Sequence, residues 1–428
     1  MFKTAEWTPN LMVPLSFVIA TLAALFFKTV RQYARLRHIP GRPARAGRSG
    51  GSLIRIGPNH VVTSDPGLLR HVLHVRSSYQ RSDWYYGLRF DPTSDNVLST
   101  MDDAEHTRLR SKMAAGLTRN QYSGRGVEHV EAKIDRNLRA LIELLDTKYA
   151  TAAGAGGAAF DLGRKAAFLT LDVITNIGYG EPLGFVASDS DVYDYIATIE
   201  AQMPAIICSR VLPWLVDVLS SPLFKRLLPS HKDALGFGKI MGIAKSKAQE
   251  RFGPDAKVQN DMMGSFVAHG LTQAEAESEV VVHILAGSDT TATAIRSTML
   301  HLVTNARAVA ALRAEIDAAG LGEGIAVIKE GLRIHPPVAA LHIKLVPAEG
   351  DVWQGVPLPG GAKIGVSVWG AMRRRDVWGA DTDEFRPERW LEATPEKRRE
   401  MDSSSGGFDK LRCEDKAEGQ EQLRNPRW

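Results

Sequence analysis

The most uniform hydropathy in the chain lies near its start. Leu11 to Phe27, LMVPLSFVIATLAALFF, carries no charge and is followed by Lys28, Arg31, Arg35, Arg37, Arg42, Arg45 and Arg48 with no acid among them. This pattern predicts a bilayer-crossing helix over residues 11–27, with residues 1–10 lumenal and the basic linker 28–51 held in the cytoplasm. A cleaved signal would need a small-residue site after the apolar run, whereas Phe26 and Phe27 meet Lys28 directly. Alternating apolar and polar positions then predict a hairpin, with Ser52 to Ile56 and Val61 to Thr63 joined across Gly57-Pro58-Asn59. From there to about Leu302 the spacing is helical, with Val127 to Tyr149 an amphipathic candidate and Thr151 to Ala159 a low-complexity loop. Val346 to Val368, rich in Gly, Pro and Val, predicts short strands and turns. After Trp390 apolar periodicity fades, and residues 391–428 read as a disordered tail. Residues 52–390 are thus expected to form one large domain, mainly α with a small β region (α+β).

Composition narrows the function classes. A chain of 428 residues with 44% hydrophobic content buries a large core. Its 53 basic and 49 acidic residues nearly cancel to a formal charge of +4, so no global field for nucleic acid is implied. The two cysteines, Cys208 and Cys413, make no disulfide framework, and neither belongs to a zinc-type cluster. A reduced, cytosol-facing body follows.

Two places carry candidate chemistry. Thr272-Gln273-Ala274-Glu275 has capping-box spacing and opens a helix that continues past Ile295. In its middle, Ala286-Gly287-Ser288-Asp289-Thr290-Thr291 puts a glycine, an acid and adjacent hydroxyls into a segment that otherwise reads as buried. Glycine there disfavours the helix by about 1 kcal/mol against alanine, and threonine can bend a helix by bonding back to a carbonyl. An acid beside an alcohol suits a proton relay, although a buried Ser/Thr patch satisfied by its own carbonyls fits the same letters. Further on, Glu330 and Arg333 stand three apart on a helix that Pro336-Pro337 stops, and Phe385-Arg386-Pro387-Glu388-Arg389-Trp390 offers a second arginine in a fixed turn. Together Glu330, Arg333 and Arg389 would make a buried charged knot.

AGSDTT, EGLR with HPP, and FRPERW, in that order, resemble the cytochrome P450 superfamily. The resemblance extends through Ile54–Pro66, Glu105–Gly116, Phe168–Phe185 and Gly350–Gly370, with the texture of fungal microsomal enzymes of the pisatin demethylase type. It implies a P450 fold and a haem b cofactor. The activity implied is a monooxygenase acting on an apolar small molecule of fungal secondary metabolism, fed electrons by NADPH-cytochrome P450 reductase at the endoplasmic reticulum membrane. Residue by residue, Asp289 and Thr290 would manage oxygen and protons, and Ala286 and Gly287 would leave room for the haem. Glu330, Arg333 and Arg389 would form the structural triad, while His106, Arg110 and His342 would meet haem propionates. Ala201 to Leu228 would help form a substrate entrance.

The family's Phe-x-x-Gly-x-Arg-x-Cys-x-Gly loop, whose thiolate binds the iron, has no counterpart after the FRPERW motif. Cys413 stands in that part of the chain, but Arg412, Glu414 and Asp415 surround it and the glycines are misplaced. The helix that follows this loop in the family is also missing, and the chain reads short before Ser52 and around Gly322-Glu323-Gly324. Two readings follow: a haem-dependent monooxygenase, or an inactive, haem-free, truncated P450-like membrane protein.

Overall fold

A computed structural model describes residues 9–41, 53–74, 76–91, 94–117, 130–150, 158–224, 228–254, 256, 259–317, 322–339 and 341–405. The chain divides into two compact units, Met1–Gln80 with Ala340–Ala371 and Arg81–Ala339 with Met372–Trp428. The architecture is mainly helical with a small β component, as the periodicity predicts.

The first unit holds helices α1 (Pro9–Arg35) and α2 (Pro66–Leu73) and strands β1 (Leu53–Gly57), β2 (His60–Thr63), β3 (His342–Leu345), β4 (Asp351–Trp353), β5 (Val356–Leu358) and β6 (Lys363–Val366). β1 and β2 form the expected hairpin, antiparallel in the register Leu53↔Thr63 with a bulge between Arg55 and Gly57. β2 then pairs in parallel with β6, and β6 antiparallel with β3, while β4 and β5 make a separate hairpin. The end of α1 packs on this unit. Leu36 and Ile39 beyond it are buried, His38 bonds the Pro357 carbonyl at 2.8 Å, and Arg55 lies 4.0 Å over the Tyr33 ring.

Among the described residues no helix is long and apolar enough to cross a membrane. This corrects the anchor expected over residues 11–27, and with it the single-pass endoplasmic reticulum placement and the membrane as a partner. The described side chains of α1 are apolar and exposed at Ile19, Leu22, Leu25, Phe26 and Phe27, but Lys28 and Arg31 follow at once. The uncharged stretch Leu11–Phe27 has 17 residues, the lower edge of the roughly 17–25 that a span requires.

The second unit is built on α3 (Asp103–Leu117), α4 (Val130–Leu144), α5 (Leu162–Tyr179), α6 (Tyr195–Val211), α7 (Trp214–Ser220), α8 (Gly236–Gln249), α9 (Met262–Ala268), α10 (Gln273–Val303), α11 (Ala306–Asp317), α12 (Gly322–Ile334), α13 (Glu388–Glu392) and α14 (Pro395–Ser405). A π-helical turn, Leu145–Ala150, continues α4. The core joins Phe168, Leu171 and Ile177 of α5 to Val280, Val281 and Ile284 of α10, with Phe237, Ile240, Met263 and Phe266 around them. α10 is the axis of this unit. Its capping box forms as expected, with Glu275 N–H donating to Thr272 Oγ1 and Thr272 N–H to the Glu275 carboxylate. The helix does not break at Gly287, because the hydroxyls that weaken it are absorbed. Ser288 donates to the Ile284 carbonyl at 2.6 Å and Thr290 to the Ala286 carbonyl at 2.7 Å. Gly287 is required for packing, since a Cβ there would lie 2.8 Å from Ile174 Cδ1 of α5.

Order does not end at Trp390. α14 extends it to Ser405 and buries Met401 and Ser404, so the stretch 391–405 is not the disordered tail expected there, and the remainder lies outside the described residues. Cys413 and Glu414–Trp428 lie outside the described residues, as does most of the 151–159 loop.

α12 approaches α10 so closely at Gly331 that a Cβ there would collide with Thr298 Oγ1. Gly331→Ala should therefore lower stability by about 1–3 kcal/mol, seen as a reduced urea midpoint with an unchanged slope.

Candidate functional site

Two side-chain groups of the second unit concentrate the expected chemistry. The first is centred on Glu330, which is fully buried on α12. Helical spacing brings Arg333 alongside, and its Nε and Nη2 donate to the two Glu330 carboxylate oxygens at 2.9 and 2.8 Å. From the FRPERW segment Arg389 Nε donates to Glu330 Oε1 at 2.9 Å, Trp390 Nε1 to Oε2 at 3.0 Å, and the Arg386 backbone N–H to Oε1 at 2.9 Å. The remaining guanidinium donors are also used. Arg333 reaches the carbonyls of Met372, Thr382 and Glu384, and Arg389 those of Trp378 and Asp381 and the Asp381 carboxylate. Charges this deeply buried are tolerated only when every lone pair and proton is matched, which is the case here. The knot therefore fixes the chain from Met372 to Trp390 against α12.

The second group lies on α10. Ala286, Asp289 and Thr290 share one face by their i, i+3 and i+4 spacing. Val280–Val282 and Ile284 are buried, yet Ala286 and Asp289 are exposed, so the helix opens one face in mid-course. The Asp289 carboxylate lies 4.0 Å from Arg296 Nη2. Tyr195, at the start of α6, has a buried hydroxyl, and burial, reinforced by the nearby Asp289 charge and opposed by the Ser288 hydroxyl, raises its pKa beyond the ordinary phenol range. Neither Arg296 nor Tyr195 was marked by any motif, and only the i+7 spacing from Asp289 to Arg296 offered a sequence signal.

The other expected residues are placed differently. His106 is half-buried and Arg110 exposed on α3 of the second unit, whereas His342 opens β3 of the first, paired with Val366. Cys208 is exposed on α6. Two surface depressions, one lined by Phe27, Lys28, Arg31, Gln32 and Arg35 and one by Arg70, His71, His74, Arg76, Ser77 and Ser78, include none of the expected site residues.

Haem tests this donor set. The open face of α10, with only a methyl group at Ala286, fits a flat group lying alongside it, whereas Gly287 faces Ile174 of α5. An axial sulfur does not emerge from the described residues. Their one cysteine, Cys208, is exposed on α6, and no cluster of three or more His, Cys, Asp or Glu side chains that could hold a metal ion occurs among them. The open face of α10 fits the group, and the described residues include no sulfur donor for its iron.

A further buried acid went unnoticed in the sequence. Glu279, one turn into the apolar part of α10, is 1% exposed, accepts the Val97 N–H at 2.6 Å on Oε1, and has no partner at Oε2. Ser278 beside it donates to the Asp95 carbonyl at 3.2 Å. Together they clasp the Asp95–Thr100 loop, which Asn96 stiffens by accepting the Leu98 and Ser99 N–H groups. Burial, helped by the Glu275 charge and opposed by the Val97 N–H, pushes the Glu279 carboxyl up to about 8.

Each group carries a stability test. Arg389→Ala leaves Glu330 partly unpaired and should lose about 3–5 kcal/mol in chemical denaturation. Glu279 is protonated in the folded state and ionises in the unfolded state at its ordinary value, so folding becomes less favourable as pH rises. Its stabilisation is complete below the ordinary carboxylate range and declines up to about pH 8. The wild-type-minus-Glu279→Gln difference in unfolding free energy should fall across that window and be flat above it.

The comparisons agree with this geometry. Residues 52–405 match the cytochrome P450 family. The chain is 40% identical to cytochrome P450 monooxygenase ABA1 of Pyricularia oryzae, over 90% of this chain and 83% of that protein. It is 36% identical to cytochrome P450 monooxygenase aba1 of Botryotinia fuckeliana, over 82% and 72%, and 32% identical to cytochrome P450 monooxygenase abl1 of Leptosphaeria maculans, over 87% and 72%. The buried glutamate–arginine knot, the helix with one open face and this extended similarity lead to one assignment: the chain belongs to the cytochrome P450 family, of fungal type, whose cofactor is haem and whose named relatives are monooxygenases.

Proposed function

We propose that this monooxygenase oxidises an apolar small molecule of fungal secondary metabolism at the open face of α10, with electrons supplied by NADPH-cytochrome P450 reductase. The observation that carries the reading is the exposure of Ala286 and Asp289, with Thr290 beside them, in the middle of a helix that is otherwise core. When bound, haem supplies the oxidising chemistry. The chain's own residues supply space and protons. Ala286 keeps the face free of bulk. Thr290 Oγ1, whose proton is held by the Ala286 carbonyl, turns its lone pairs outward as an acceptor. Asp289, exposed and near Arg296, is positioned to exchange a proton with solvent and pass it to that hydroxyl through water. Ile207, Val211, Leu212, Trp214 and Val218 are exposed along the end of α6 and on α7, which suits entry of an apolar molecule through the Ala201–Leu228 segment. His106 and Arg110, on α3 of the same unit, would hold the propionates, and the Glu330 knot would hold the Met372–Trp390 segment in place.

The test is a reduced-plus-carbon-monoxide spectrum of the purified full chain, followed by turnover with reductase, NADPH and isotopically labelled dioxygen. A red-shifted Soret band and one labelled oxygen per product molecule are expected. Absence of haem absorbance from a folded protein supplied with haem overturns the reading in favour of a haem-free relative of the fold. Asp289→Asn should reduce product formation by about 10²-fold while leaving the carbon monoxide spectrum in place.

A further inference from the structure

At the C-terminal end of α6 a cation lies half-buried against an aromatic ring with no acid among the described residues to balance it. Its backbone is closely fixed. The 3₁₀ turn Asp83–Leu88 packs on α6 so tightly that a Cβ on Gly87 would stand 2.6 Å from Arg210 Cα and Ser209 O, and Ser209 Oγ donates to the Gly87 carbonyl at 3.0 Å. The Arg210 guanidinium lies 5.4 Å over the ring of Trp84, itself 9% exposed, and Arg210 Nε is buried without a hydrogen-bond partner. Among the described residues no carboxylate pairs with it. The acid of the adjoining helix, Asp217, is engaged by the Tyr86 hydroxyl at 2.7 Å.

Two deeply buried arginines of this unit are arranged otherwise: Arg251 pairs with Asp261 at 2.6 Å and Arg389 with Glu330 at 2.9 Å. Arg210 bears the desolvation alone, and burial lowers its pKa with no opposing charge. A guanidinium held this way by a rigid turn is pre-organised for a planar anion, because its fork matches a carboxylate in two parallel hydrogen bonds. Its surroundings are apolar: Trp84 beneath it and exposed Ile207, Val211, Leu212 and Trp214 along the same segment. An inorganic anion would gain nothing from those side chains, whereas an apolar body carrying a carboxylate would cover them.

We propose that Arg210, seated on Trp84, is a specificity-determining residue that binds the carboxylate of the substrate, so that the substrate class is apolar carboxylic acids. This rests on the monooxygenase reading for the word substrate, but the binding site itself does not require catalysis. α6 starts at Tyr195 beside Asp289 and reaches Arg210 at most about 22 Å further along its axis, within the span of an extended apolar molecule.

The experiment uses the full chain with and without added haem and cis-parinaric acid, a fluorescent apolar carboxylic acid, as probe, compared with its methyl ester. The acid should bind roughly 10- to 100-fold more tightly than the ester, as expected for hydrogen bonds to a charged group. Arg210→Gln should abolish that preference while leaving ester binding unchanged, and Arg210→Lys should retain part of it. Equal binding of acid and ester to the wild type overturns the proposal, as does an undiminished preference in Arg210→Gln. If Arg210→Gln instead loses haem uptake with its acid preference intact, the carboxylate recognised belongs to the haem and the proposal fails. Should Arg210→Gln not fold, Arg210→Lys decides the matter by the acid-to-ester ratio. A haem-free protein that still prefers the acid through Arg210 would sink the monooxygenase reading and leave this site standing.

Discussion

A carboxylate with no access to water sets the terms for the second unit. Glu330 accepts from Arg333, Arg389, Trp390 and the Arg386 backbone, and those donors arrive from a helix and from a segment more than fifty residues later in the chain. Leaving such an anion unsatisfied in the interior is unfavourable by several kcal/mol, so the chain from Met372 to Trp390 has little choice of path. The same constraint reaches α10. Gly331 lies next to Glu330 on α12 and admits Thr298 of α10, so the helix that presents Ala286, Asp289 and Thr290 is seated directly on the one that carries the knot.

Much of this was legible from the sequence wherever order along the chain dictates geometry. Thr272 and Glu275 cap α10 because their spacing alone aligns the two reciprocal bonds, and Glu330 meets Arg333 because one helical turn requires it. The β1–β2 hairpin follows from alternation broken at Gly57-Pro58-Asn59. Arg389 could be assigned to the knot only through family resemblance, since no local rule links it to α12. Trp390 and Asp381 belong to the same network and escaped notice, because their roles depend on how a loop folds back.

Elsewhere local pattern misled or was silent. The glycine and hydroxyls of AGSDTT predict a weakened helix, yet α10 runs unbroken because Ser288 and Thr290 find carbonyls one turn back and Ile174 fills the gap at Gly287. Polar composition after Trp390 suggested disorder, but a short helix needs few anchors, and Met401 and Ser404 suffice for α14. Glu279 looks in the sequence like any polar position on a helix; only the approach of Val97 makes it a buried acid. Arg210 is likewise silent, because the absence of a partner is a property of space rather than of sequence.

The first unit is assembled from both ends of the described chain. β2 pairs in parallel with β6, and Asn59 donates from its side chain to the Gly361 carbonyl across 302 positions of sequence. During synthesis the β1–β2 hairpin therefore leaves the ribosome with an unpaired edge and must wait until the whole intervening helical body has been made. Closing so long a loop is slow, and an exposed strand edge is an invitation to pair with other chains. Until β6 has been made, the inner edge of that hairpin has no strand of its own unit to pair with, however stable the finished fold becomes.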